Sequence, residues 1–293
     1  DLPVNKGRFN FDILRYDYYR DTTVSLEAFK AGEYDFRQET SSKQWATSYT
    51  GPQFDSAELV KAEIPHHRPT GMQAFIFNTR RAIFSDPKVR QALGYAFDFE
   101  WTNKNLFYNA YARTHSFFSN SEMAATELPT AEELEILTPL KDQIPSEVFT
   151  TVYRAPNYDG SGNIRRELRD ALRLLKSAGW ELKNGKLIQK ESGQPLTFEI
   201  LIAQKEMERI IAPMSKNLSR LGVEVSIRVV DVSQYINRLR AFDFDMIVGS
   251  FGQSSSPGNE QREFWGSYNA DKPGSRNIIG IQSPAIDTLI ELL

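Results

Sequence analysis

Hydrophobic and polar positions along the chain follow two periods, one typical of helices and one typical of strands. Apolar residues at helical spacing are clearest over 89–97 and 164–175, where Asp86-Pro87 and Gly179 supply a start and a stop signal. Helices are predicted at 24–31, 41–49, 87–97, 101–108, 131–140, 164–175, 205–221, 234–240 and 284–293. The N-caps predicted for four of them are Asp21 or Thr22, Asp86, Thr130 and Ser233.

Strands are predicted at 13–19, 34–36, 57–64, 72–78, 187–190, 196–203, 223–229 and 244–248. We expect 187–190 and 196–203 to pair with each other across a turn at Ser192-Gly193. Strands and helices that alternate in this way predict a mixed α/β fold, with ligand-binding loops at the strand ends.

One stretch, residues 242–267, combines a buried strand with an abrupt change to polar residues. The apolar run 244–248 is followed by Gly, Gln and Ser residues over 249–256, and Asn259 after a Pro-Gly turn can cap a short helix. Backbone N–H groups, hydroxyls and an amide at such a place suit a polar, peptide-like ligand, and Phe251 and Trp265 could supply apolar walls. The alternative is a surface turn without a ligand.

Composition excludes several classes of protein. The chain has 293 residues and a net charge of −3, which argues against a nucleic-acid partner. Cysteine is absent, so redox compartment stays open, and no apolar run approaches membrane-spanning length. Aromatic residues in polar loops suggest either sub-surface packing or the lining of a large cleft; they are Trp45, Tyr49, Tyr111, Phe117, Phe118, Phe251 and Trp265.

The residue patterns that enzymes and metal sites require are missing from the sequence. His66-His67 lacks a ligand partner at helical spacing, and no nucleophile elbow, phosphate loop or dinucleotide fingerprint occurs. Asp243 and Asp245 share one strand face, and we expect a solvated or ion-paired edge rather than an acid pair. We therefore predict no catalytic residue, no metal site and no cofactor.

The two ends of the chain resemble cuts. It begins Asp1-Leu2-Pro3 without a targeting segment and stops inside a predicted amphipathic helix with an unfinished apolar face. We expect a fragment of a longer protein.

Four segments resemble the extracytoplasmic solute-binding proteins of peptide-type ABC importers (family 5). They are LEAFKAGEYDF at 26–36, DPKVRQAL at 86–93, LLKSAGW at 174–180 and SPAIDTLI at 283–290. The segments SSPGNEQR at 255–262 and WAT at 45–47 resemble the YejA-like branch, which is associated with uptake of peptides and microcin C.

This resemblance implies a clamshell fold like that of type II periplasmic binding proteins, with mixed sheets flanked by helices and an incomplete first lobe. Residues 1–77 would be a remnant of lobe I with a hinge strand near 72–78, and residues 78–293 would be lobe II without its return to lobe I. The implied function is capture of oligopeptides or peptide-like compounds, microcin C-type or murein-derived peptides included. The implied partners are a permease in the inner membrane and its ATPase, and we expect a periplasmic monomer. The rival functions are an extracytoplasmic sensing domain and a hydrolase.

The ligand-binding residues we predict combine the loop pattern with the resemblance. Hydrogen bonds would come from Ser250, Gln253, Ser254 and Ser255, apolar contacts from Trp45, Phe251 and Trp265, and a carboxylate or phosphate contact from Arg262. In the related oligopeptide binders an Asp in this loop pairs with the peptide α-amino group, and here Gln253 stands at about that place. A neutral amide pairs weakly with an ammonium, so modified or branched peptides become more plausible ligands.

Overall fold

The computed structural model describes residues 2–8 and 10–293, and the chain divides into two compact units, Asp1–Ile64 and Pro65–Leu293. The prediction that a first lobe extends to residue 77, with a hinge at 72–78, stays a prediction. Among the described residues, no helix is both long enough and apolar enough to span a membrane.

The regular secondary structure in the described part of the first unit is helical. It contains α1 (Thr22–Lys30), α2 (Ser42–Thr47), α3 (Pro52–Asp55) and a 3₁₀ turn at Pro3–Asn5. Asp21 caps α1 by accepting hydrogen bonds from the backbone N–H groups of Thr23 and Val24, which confirms this predicted cap. The core of the unit is small and consists of Leu26, Phe29 and Tyr49.

A buried ion pair joins the helices of this unit to the segment between them. Arg37 Nη2 lies 3.2 Å from Glu39 Oε2, and the hydroxyl of Tyr49 donates to the same carboxylate oxygen at 2.7 Å. Burial alone would raise the pKa of Glu39, but these contacts and the N–H of Ser41 bring it below its usual range. Burial and the hydrogen bond to Glu39 raise the pKa of Tyr49 to about 12.

The strands predicted at 13–19, 34–36 and 57–64 are wrong. These segments have irregular backbone, and most of their apolar side chains are exposed, with Ile13 at 84% and Tyr18 at 93%. A strand needs a neighbour for its backbone hydrogen bonds, and the described part of the first unit supplies none. Local alternation of apolar and polar residues is therefore insufficient to predict a strand.

The second unit is built on a four-stranded sheet with the order β1-β6-β4-β5. The strands are β1 (Met72–Phe77), β4 (Thr197–Ile202), β5 (Glu224–Val229) and β6 (Met246–Phe251), and a separate hairpin joins β2 (Trp180–Lys183) to β3 (Lys186–Gln189). Strand β4 runs parallel to β5 and β6, whereas β1 is antiparallel to β6. The carboxyl ends of β4, β5 and β6 thus lie at one edge of the sheet, beside the amino end of β1.

Helices and two apolar cores flank this sheet. The helices are α4 (Pro87–Gly94), α5 (Phe99–Leu106), α6 (Ala131–Leu137), α7 (Arg165–Ser177), α8 (Glu208–Arg220), α9 (Val232–Arg240), α10 (Glu260–Trp265) and α11 (Pro284–Ile290). Short 3₁₀ turns occur at Ala82–Phe84, Thr138–Leu140, Ser146–Phe149, Lys205–Met207 and Ser267–Asn269. Successive residues of β4 point to opposite cores, Ile200 to one that includes Leu93 and Leu175 and Leu201 to one that includes Phe251 and Phe264.

The sequence patterns predicted most of these helices and strands. Two of the N-caps predicted in the second unit are confirmed. Asp86 caps α4 and Thr130 caps α6, the latter with a complete capping box that includes Glu133. The N-cap of α9 is Asp231 instead of Ser233, because the Asp231 carboxylate accepts from Gln234 N at 2.9 Å.

The predicted pairing of 187–190 with 196–203 is wrong. Strand β3 pairs with β2, a strand that the sequence analysis missed, and only an isolated bridge links Ile188 to Pro195. The turn between β2 and β3 is Asn184-Gly185, and both residues have positive φ (49° and 78°). Asn-Gly favours this two-residue hairpin turn, whose twist matches that of the strands.

Strand β6 also continues past its predicted end at residue 248. Gly249, Ser250 and Phe251 pair with Ala74, Gln73 and Met72 of β1. Strand β1 therefore provides the backbone partners that the sequence alone does not reveal, and the prediction that the loop starts at Gly249 is wrong. The loop starts at Gly252.

Candidate functional site

The candidate site lies at the carboxyl edge of the sheet in the second unit. Strand β6 ends at Phe251 beside Met72, and the polar loop 252–258 leaves from there. Segment 111–120 reaches the same edge, because the backbone N–H and the hydroxyl of Thr70 both donate to Ser119 O, at 2.9 and 3.2 Å. Open α/β sheets bind ligands at the carboxyl ends of their strands, so this edge is where a site is expected.

Aromatic rings support the loop from the core. Phe251 is 2% exposed, and its ring centroid lies 5.6 Å from that of Phe117, 5.9 Å from Phe264 and 5.0 Å from Trp265. The side chain of Phe251 is thus part of the core in this structure. Trp265 and Phe117 are only partly buried, so they bring the apolar character of this cluster nearer to the surface.

A chain of hydrogen bonds runs from the indole of Trp265 to the predicted residue Gln253. Trp265 Nε1 donates to Gln261 Oε1 at 2.8 Å, and Gln261 Nε2 donates to Gln253 Oε1 at 2.7 Å and to Glu260 Oε1 at 3.3 Å. Gln253 Nε2 is sheltered from solvent and has no hydrogen-bond partner among residues 2–8 and 10–293. Sequence analysis missed Gln261, which is 4% exposed.

The short helix α10 begins without the predicted side-chain cap. Asn259 makes no capping hydrogen bond, and Glu260 Oε1 instead accepts from Gly258 N at 3.0 Å. Backbone hydrogen bonds, including this one, bring the pKa of Glu260 below its usual range. Glu260 therefore ties the end of the polar loop to the helix that carries Gln261 and Trp265.

The predicted serines are exposed at the same edge. Ser250 is the penultimate residue of β6, and Ser254 and Ser255 lie in the loop. The hydroxyl of Ser254 donates to Ser256 O at 2.8 Å and accepts from Ser256 N at 3.2 Å. Ser254 therefore shapes the loop itself.

Two other predicted residues already have partners. Arg262 forms an ion pair with Glu291, just after α11, and its side chain is 43% exposed. Trp45 belongs to α2 of the first unit, where its ring packs 5.4 Å from that of Tyr49 and under Lys61 Nζ at 4.3 Å. The other predicted polar residues and Trp265 lie together at one edge of the second unit: Ser250, Gln253, Ser254, Ser255 and Trp265.

Arg113 is a candidate that the sequence analysis did not single out. Its guanidinium lies over the rings of Phe97 and Phe99, at 5.5 and 5.4 Å, and its Nε atom is buried. Within the described part of the chain it has neither an ion-pair nor a hydrogen-bond partner. Burial lowers its pKa, and Tyr153, Tyr158 and Glu100 partly offset this. Its place in the aromatic loop 111–120 was the available signal.

His115 of the same loop has a structural role. Its Nδ1 atom accepts from Ala155 N at 3.0 Å. Burial, together with the nearby Arg154 and Arg113, lowers the pKa of His115. The neutral imidazole leaves Arg113 as the cation of this loop that lacks a partner in the described residues.

The acidic residues before β6 form the ion-paired edge that we predicted. Arg81 pairs with Asp243 at 3.2 Å and with Asp245 at 3.0 Å, and Arg238 pairs with Asp243 at 3.1 Å. These residues lie at the amino end of β6, away from the polar loop. Among the described residues, no three or more His, Cys, Asp or Glu lie close enough together to hold a metal ion.

Comparison with known proteins identifies the class of this chain. Residues 4–272 match the family described as bacterial extracellular solute-binding proteins, family 5 Middle. The chain belongs to this family, which confirms the resemblance that its motifs predict.

Its relatives also confirm the YejA-like assignment. The chain is 47% identical over 292 residues to the probable peptide-binding protein YejA of Agrobacterium fabrum, covering 99% of this chain and 48% of that protein. It is 44% identical to YejA of Escherichia coli, again over 99% of this chain and 48% of the relative. The chain thus spans about half the length of these curated relatives.

A solved structure confirms the fold class. The oligopeptide-binding protein AppA from Bacillus subtilis, in complex with a nonapeptide, superposes with a TM-score of 0.63 at 19% identity. The match covers 92% of this chain and 46% of AppA. The mixed α/β architecture that we predicted is that of the peptide-binding periplasmic proteins.

Proposed function

We propose that the protein to which this chain belongs is the solute-binding component of an ABC importer. It would capture an oligopeptide or a peptide-like compound and deliver it to a permease in the inner membrane, which works with its own ATPase. Support comes from the family, from a relative named as a peptide-binding protein, and from the fold shared with AppA.

The observation that carries the proposal is the composition of the carboxyl edge of the sheet. The exposed residues Ser250, Ser254 and Ser255 lie at the same edge as Gln253 and the partly buried Trp265. A peptide presents alternating backbone polar groups and side chains, and it needs hydrogen-bonding groups beside apolar surface. This edge offers both.

Charged groups of the ligand would be read by arginine. Arg113 is the stronger candidate for a ligand carboxylate, because its Nε atom is buried without a hydrogen bond and its side chain forms no ion pair in the described residues. Arg262 would have to give up its ion pair with Glu291 first. The apolar contacts of Trp45 and Phe251 stay predictions, because Trp45 packs on Tyr49 and Phe251 is part of the core in this structure.

The ligand would leave chemically unchanged. Nucleophilic catalysis needs a hydroxyl within hydrogen-bond reach of a base, whereas Ser254 bonds to the backbone of Ser256 and His115 accepts from the backbone of Ala155. Such an importer component would act as a monomer in the periplasm.

Ligands that co-purify with the full-length protein test this function. We expect mass spectrometry to recover intact peptides or peptide-like compounds. A protein that yields nothing peptide-like, or that returns an added peptide cleaved, would contradict the proposal.

An Arg113→Met variant tests the contact with the ligand carboxylate. We expect it to weaken binding of a peptide with a free C-terminal carboxylate by roughly 10- to 100-fold, the range of a charge-assisted hydrogen bond. The same peptide as a C-terminal amide should lose much less. Arg166→Met, at an exposed residue of α7, is the matched control and should bind both peptides like the wild type. Equal losses for the acid and the amide would exclude this role for Arg113.

A further inference from the structure

We propose that Gln253 reads a hydrogen-bond acceptor on the ligand, because Trp265 and Gln261 fix the direction of its amide. This inference rests on the proposed function and names the chemistry of one ligand group. The group would be a carbonyl or acetamido oxygen, as in an N-acylated peptide end, in place of a free ammonium.

The direction of the Gln261 amide follows from the chemistry of indole. An indole N–H can only donate, so the atom that lies 2.8 Å from Trp265 Nε1 must be the oxygen of Gln261. The amide nitrogen of Gln261 then faces Gln253 at 2.7 Å and the Glu260 carboxylate at 3.3 Å. A carboxylate only accepts, so Glu260 requires the same orientation.

The same logic carries over to Gln253. The nitrogen of Gln261 must donate, so the atom of Gln253 that faces it is the oxygen. Gln253 Nε2 is left as a donor, sheltered from solvent and without an acceptor in the described part of the chain. If Gln253 turned over, two NH₂ groups would face each other.

Burial holds this arrangement in place. Gln261 is 4% exposed, and Trp265 packs against Phe251 and Phe117 at ring-centroid distances of 5.0 and 4.8 Å. Both residues belong to α10, and Asn269 Nδ2 donates to the carbonyl of Arg262 in that helix at 3.0 Å. Trp265 and Gln261 are thus positioning residues, and Gln253 is the residue that would touch the ligand.

A donor left without a partner favours a ligand that brings an acceptor. A buried N–H regains its lost hydrogen bond when a carbonyl oxygen binds, whereas an ammonium would place donors against a donor. The amide donor at this position therefore favours a ligand group that accepts a hydrogen bond, whereas a carboxylate here would favour a group that donates one.

The test compares two probes on the full-length protein. Titration calorimetry measures Kd for trialanine with a free amino terminus and for N-acetyl-trialanine. We expect the wild type to bind the acetylated probe about tenfold more tightly. This ratio corresponds to the free-energy cost of leaving one buried donor without a hydrogen bond.

Three variants separate the orientation of the amide from its mere presence. Gln253→Glu keeps the acceptor toward Gln261 and turns an acceptor outward, so the preference should invert toward free trialanine. Trp265→Phe keeps an aromatic ring but removes the indole donor, so the preference should fall severalfold while both probes still bind. Gln194→Glu, exposed near the amino end of β4, adds the same charge elsewhere and should keep the wild-type ratio.

The outcomes distinguish two kinds of failure. If the wild type binds neither probe, peptide capture fails, and this inference fails with it. If both probes bind but the wild type and all variants share one Kd ratio, capture stands and the inference is overturned. Circular dichroism shows which variants are folded, and either Gln253→Glu or Trp265→Phe is enough for the decision.

Discussion

At the scale of single residues, the informative atoms are buried polar atoms without a hydrogen bond. Among the described residues they include Gln253 Nε2, Arg113 Nε and Asp98 Oδ2. Buried polar groups are nearly always hydrogen-bonded, so each exception calls for an explanation. For Gln253 and Arg113 we propose ligand contacts. Asp98 is instead a structural residue: its other oxygen, Oδ1, accepts a hydrogen bond at the start of α5.

Asp98 is predicted to cost stability at neutral pH. Its Oδ1 atom accepts from Trp101 N at 2.9 Å, but burial and the nearby Glu100, Asp159 and Glu167 raise its pKa. Asp98→Asn keeps the capping acceptor and removes the charge, so we expect the free energy of unfolding at pH 7 to rise by roughly 1 kcal/mol.

The pH dependence of this gain has a definite sign. A folded-state pKa above the unfolded value means that the ionised carboxylate destabilises the wild type at high pH. The gain from Asp98→Asn should therefore shrink as the pH falls through the raised pKa, where the wild type takes up a proton. Urea unfolding at pH 7 and pH 4 measures both values. Asp86→Asn is the matched control at the more exposed cap of α4 and should give no gain. A gain for Asp98→Asn that grows toward acid pH would contradict this explanation.

At the scale of elements, helices and their caps were predictable because their signals are local. Asp21, Asp86 and Thr130 each stand within a few residues of the N–H groups that they cap. Strands depend on distant partners. The alternating segment 13–19 has none in the described part of its unit, whereas Gly249 to Phe251 became strand because β1 pairs with them.

For the candidate site, the positions of residues along the chain were predictable, but their side-chain contacts were not. The position of Gln253 after a buried strand, followed by Trp265, could be read from the sequence. The orientation of its amide could not, because it depends on Gln261, whose burial and contacts arise only when α10 packs on the core. Arg113 was missed for the same reason, since the absence of a partner is a tertiary property.

Gly71 is predicted to hold the start of β1 against the end of β6. It has φ = 69°, and a Cβ atom there would collide with the backbone carbonyl oxygen of Phe251. Gly71→Ala should destabilise the protein by roughly 1–3 kcal/mol, through left-handed backbone strain and the displacement of β6. Thermal unfolding measures this loss.

Gly94→Ala is the matched control for that prediction. Gly94 ends α4 with open space around it, so alanine there should leave stability unchanged or raise it by about 0.4–1 kcal/mol. Similar effects of the two substitutions would mean that Gly71 does not constrain this edge of the sheet.

At the scale of the whole molecule, the chain spans about half the length of the family members that it matches. Its relatives are about twice as long, so binding experiments belong on the full-length protein. Within the second unit, the polar loop, segment 111–120 and α10 meet at one edge of the sheet over an aromatic core. We propose that a peptide enclosed at this edge would meet the exposed serines and the unpaired donor of Gln253.

Hydrogen–deuterium exchange of the full-length protein, with and without bound peptide, tests this account most directly. We predict slower exchange on binding in segments 252–262 and 111–120, no change in the turn at 191–195 near the amino end of β4, and recovery of the peptide at unchanged mass. Protection that spares both predicted segments, or a peptide returned cleaved, would contradict it.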